Sequence, residues 1–143
     1  MQLQLTSIVC ALWLIGVSGA YACSPIEPRL PQAERFAKAS AVFLAHMVRV
    51  EESAEHTKIV EGTFQVLETF KGAPPPDRKV LTMVYAPGGC GMPFLAGSDY
   101  LFFLAEGRKN FVQIGEGSFG PFNAENDHVK KELAELRALT KPR

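Results

Sequence analysis

Any chemistry in this sequence would rest on its histidines, its cysteines and one glycine-rich run. Gly115-Glu-Gly-Ser-Phe-Gly120 matches G-x-G-x-x-G letter for letter. A dinucleotide loop of that form needs a helix beginning at its third glycine, so that the positive helix end meets a pyrophosphate. Here Pro121 and Phe122 follow, and no strand–helix–strand unit surrounds the run. The lysine strand and catalytic aspartate loop that a kinase would need downstream do not follow either. The run therefore reads as a turn. Ser118, inside it, lacks the first glycine of G-x-S-x-G. His46, His56 and His128 show none of the close spacings, such as H-E-x-x-H, that put two imidazoles on one metal ion. They fall on a strand, in a turn and early in a helix. These residues predict a protein that is not an enzyme and has no cofactor.

The cysteines carry more information. Residues Met1 to Ala22 contain no Asp, Glu, Lys or Arg, and an apolar run from Ile8 to Val17 ends in Ser-Gly-Ala-Tyr-Ala22. Small residues at Ala20 and Ala22 fit the A-x-A cleavage rule of a signal peptide, with the mature chain beginning at Cys23. The lipoprotein signal wants an aliphatic residue three positions before the cysteine. Here Ala20 stands there and bulky Tyr21 follows, which favours free secretion over a lipid anchor. Cys10 leaves with the signal. Cys23 and Cys90 remain in an oxidising compartment, secreted or periplasmic, where their simplest fate is a disulfide. Closing so long a loop would stabilise the fold by roughly 4 kcal/mol in the chain-entropy account.

The elements that must position these residues fit one domain, 23–143. Its 15 basic and 15 acidic residues balance. There is no block of like charge to bind nucleic acid and no further apolar run to span a membrane. Three prolines between Cys23 and Pro31 make an extended arm. Pro31 to Lys38 reads as a short helix with Phe36 turned inward. Strands are expected at Ala41 to Glu51, Thr57 to Phe70, Lys79 to Ala86, Tyr100 to Leu104 and Phe111 to Ile114. Gly62 suggests a bulge or bend in the second of them. Asn123 or Asn126 can cap a last helix near Glu125 to Leu139, with Val129, Leu133, Leu136 and Leu139 on one face. The expected fold is mainly β with flanking helices: a five-stranded OB-like β-barrel, a short N-terminal helix and a C-terminal helix.

Five segments, in this order and spacing, carry a resemblance. They are Cys23-Ser-Pro-Ile26, Ala39-Ser-Ala-Val-Phe-Leu-Ala45, Phe64-Gln-Val-Leu-Glu-Thr-Phe-Lys-Gly72, Tyr85-Ala-Pro-Gly-Gly-Cys-Gly91 and Gly97-Ser-Asp-Tyr-Leu-Phe-Phe103. Together they resemble the netrin-like domain of the tissue inhibitors of metalloproteinases, in the small bacterial secreted form. The resemblance implies a Cys23–Cys90 disulfide. It also implies that the α-amino nitrogen and carbonyl oxygen of Cys23 chelate the catalytic zinc of a target protease, displacing its open-site water. An α-amino group with pKa near 8 can lose its proton to the metal. Ser24 would then point into the protease's specificity pocket. Pro25 of the arm and Pro87, Gly88, Gly89 and Gly91 of the cysteine loop would touch the target beside it. Where the inhibitors carry a second cysteine, two residues after the first, this chain has Pro25. The alternative partner is another extracellular protein, bound by a non-inhibitory netrin-like module through its barrel face.

Overall fold

An extended run that is apolar on both faces belongs in the middle of a sheet, and the chain places its longest strand there. The computed structural model describes residues 30–84, 91–108, 110–112, 117–123 and 125–140. In it, α1 (Gln32–Lys38) leads into β1 (Ala39–Glu52), β2 (Ile59–Lys71), β3 (Lys79–Met83), β4 (Asp99–Ala105) and β5 (Phe119–Phe122), followed by α2 (Asp127–Thr140). The strands form one open antiparallel sheet in the order β3-β2-β1-β4-β5. Beyond β4 the chain touches the free edge of β3 through an isolated parallel bridge, Leu81 to Phe111. Its two backbone hydrogen bonds, Leu81 N–H to Asn110 O and Val112 N–H to Leu81 O, measure 2.9 and 2.8 Å.

Alternation along β1 splits the core in two. Phe43, Ala45 and Met47 point to one face, where Phe64, Phe94, Tyr100 and Phe102 close an aromatic cluster. Its ring centroids lie 5.1 to 6.1 Å apart. Val42 and Leu44 point to the other face, with Leu101, Phe103 and the buried stripe Val129, Leu133 and Leu136 of α2. Asn126 caps that helix, accepting the His128 N–H at 2.9 Å. Leu139, expected on the same stripe, is exposed. Arg137 ties α2 to β2 through both oxygens of Glu68, at 2.9 and 2.6 Å.

Three local expectations are corrected. The bend is not a bulge at Gly62. The extra residue there lies opposite, on β1, where Val48 falls between the pairs Met47–Phe64 and Arg49–Thr63. Gly62 provides room: a Cβ on it would stand 2.6 Å from Met47 Sδ and 3.0 Å from the Phe94 ring. The fifth strand is not at Phe111 to Ile114. Phe111 makes only the isolated bridge, 113–114 lie outside the described residues, and β5 is Phe119–Phe122. Two features pull that glycine-rich run onto β4. Ser118 Oγ accepts the Phe103 N–H at 2.8 Å and donates to Phe103 O at 3.2 Å, standing in for a strand partner. Gly120, at φ 148°, lies so close to Tyr100 that a Cβ would come within 2.4 Å of the ring. Finally, the third strand ends at Met83 rather than Ala86, and 85–86 lie outside the described residues.

In α1 the most buried residue is Arg35, while Phe36 is only partly buried. Among its contacts, Arg35 donates from Nε to Leu30 O at 3.1 Å and from Nη1 to Gly117 O at 3.2 Å. Its Nη2 lies 3.5 Å from Glu132 of α2, and the guanidinium sits over the Phe103 ring at 5.3 Å. Arg35 thus joins α1, α2, β4 and the approach to β5.

Candidate functional site

Of the residues nominated by the resemblance, Cys23, Ser24, Pro25, Pro87, Gly88, Gly89 and Cys90 lie outside the described residues, and Gly91 lies within them. The site is therefore built from what holds the two ends of segment 85–90. At one end, past β3, the Val84 N–H donates to Lys58 O at 2.8 Å. At the other, Gly91 is pressed against the same strand end: a Cβ on it would stand 2.1 Å from Met83 O and 3.1 Å from Val84 O. The two ends lie side by side. One residue on, the Met92 N–H donates to the buried Thr82 Oγ1 at 2.9 Å.

The chain then crosses the sheet and is fastened at each step. Tyr100 Oη accepts the Leu95 N–H at 2.7 Å and donates to Pro93 O at 3.0 Å. Between them Phe94 packs edge-on against Tyr100 and Phe102. The Gly97 N–H reaches Met47 O at 2.7 Å, and the Met47 N–H reaches Ser98 O at 2.8 Å. The Thr82 hydroxyl of β3, the Met47 backbone of β1 and the Tyr100 phenol of β4 thus brace the segment after Gly91. Met83 and Val84, before segment 85–90, and Leu95, beyond Gly91, remain 38%, 39% and 53% exposed.

Sequence reasoning missed Tyr100 and Thr82 as supports of this site, since both read as ordinary strand residues. The Pro93-Phe94-Leu95 run after a glycine loop was the available signal. Two outcomes are expected here. Burial pushes the Tyr100 phenol above its ordinary 10.0, partly offset by the Leu95 N–H. A raised folded-state pKa means that this stabilisation is complete below pH 10 and is lost as pH climbs through the folded value. Stability from urea unfolding should fall more steeply above pH 10 for the unaltered protein than for Tyr100→Phe. The variant should itself be about 1–3 kcal/mol less stable at pH 7, because Pro93 O and the Leu95 N–H lose their partner. Parallel curves would show that the phenol does not titrate as described. Gly91→Ala should cost about 1–3 kcal/mol, since its Cβ meets backbone oxygen that cannot swing aside. A urea midpoint equal to that of the unaltered protein would contradict the packing.

The other residues with chemical potential are engaged differently. His46 Nδ1 and Asp99 Oδ1, on neighbouring strands, lie 2.7 Å apart and are partly exposed. Ser118 is buried in its two bonds to Phe103. His56 lies in the turn after β1, and His128 is exposed in the first turn of α2. The three histidines stand on separate elements, and among the described residues no group of three or more His, Cys, Asp or Glu could hold a metal ion. No described helix is long and apolar enough to cross a membrane. No protein-family model matches the chain, and no curated protein matches it.

Proposed function

We propose that this protein is an exported, netrin-like inhibitor of zinc metalloproteases, cleaved after Ala22 and acting through the free N-terminus of Cys23. In this reading a Cys23–Cys90 disulfide joins the proline-rich arm to loop 85–90. The Cys23 amine and carbonyl occupy the open position of the target's zinc, and Ser24 enters its specificity pocket. The observation that carries the reading is the anchoring of Gly91 and Met92 on β3. A wedge binds tightly only when its edge is held before the partner arrives.

Two further points support it. The arm from Cys23 to Leu30, at up to about 3.5 Å per residue, can reach roughly 25 Å from the Leu30 carbonyl that Arg35 holds. The sheet order and the Leu81–Phe111 bridge fit a sheet curling towards an OB-like barrel, in which that bridge would lie on the closing seam. The test is an intact mass of the exported protein followed by assay against a panel of zinc metalloproteases. The expected mass is that of residues 23–143 less two hydrogens, with inhibition of at least one enzyme. A mass heavier by acyl groups, reactive thiols, or no inhibition with a confirmed free Cys23 would leave only the plain binding module.

A further inference from the structure

We draw no further inference here: the strongest candidate, the proline-walled cleft of about 480 Å³ lined by loop 73–77 and the ends of β1 and β4, is an apolar surface, and nothing in the structure shows what covers it.

Discussion

One extra residue placed before Cys23 is expected, on the proposed function, to abolish inhibition of a zinc metalloprotease, raising the inhibition constant by at least roughly a hundredfold, about 2.7 kcal/mol. The α-amino nitrogen then becomes an amide, whose lone pair is delocalised into the carbonyl and is not given to a metal. The added residue must also occupy space that the zinc site keeps for a single water. Acetylation of the terminal amine should act alike. Neither change touches the sheet, so urea unfolding should be unaltered, as should the proposed Cys23–Cys90 disulfide. Ser24→Gly is the contrasting variant: it leaves the chelate intact, and should shift affinity between proteases without removing inhibition. Inhibition at full strength by the extended protein would mean that another surface, and not Cys23, meets the enzyme. The exposed Met83, Val84 and Leu95 would then be the first places to look.

Arg35→Ala is expected to be the most destabilising single substitution considered, at about 3 kcal/mol. The guanidinium side chain is only 6% exposed and Glu132 is 17% exposed, so the pair is largely out of water. Removing the cation leaves Glu132 with Gln32 Nε2, at 2.8 Å, as a neutral partner. It also strips the Leu30 and Gly117 carbonyls of a donor and opens a gap over Phe103. For a domain of this size the melting temperature should fall by roughly 10–15 °C. Arg35→Met retains the apolar stem and should lose less. Adding Glu132→Leu to Arg35→Met should recover much of the loss, because a buried ion pair replaced by apolar groups is often close to neutral. If Arg35→Ala melts within about 2 °C of the unaltered protein, Arg35 does not hold the two helices.

The same residue marks where sequence reading stops. A charged side chain in a short amphipathic helix reads as solvated, and nothing local to Gln32–Lys38 says otherwise. Its burial comes from Glu132, 97 positions away, and Gly117, 82 positions away. Phe36, the evident inward candidate, instead lies partly buried beneath the Lys71 ammonium, 5.5 Å from its ring. The fifth strand failed for a related reason. Phe111 to Ile114 has the better strand composition, while Phe119-Gly-Pro-Phe122 has a glycine and a proline in four residues. What selects the latter is a pairing with β4 that Ser118 completes and Gly120 makes room for.

By itself the sequence determined the pieces whose signals are local. Both helices were legible, α2 from its asparagine cap and apolar stripe, and so were four strands, to within a few residues. It nominated the cysteine loop only through the resemblance, and 85–90 lie outside the described residues. Only the tertiary structure decided how the pieces serve one another. It put β1 at the centre of the sheet, and made Gly62 a gap for Met47 and Phe94. It turned Thr82 and Tyr100 into the braces of the segment after Gly91. The physical reason is range. Caps, turns and periodicity act between residues a few positions apart, where the chain itself sets the distance. Burial, close approach and hydrogen-bond satisfaction depend on partners far along the chain, and exist only once the sheet has formed.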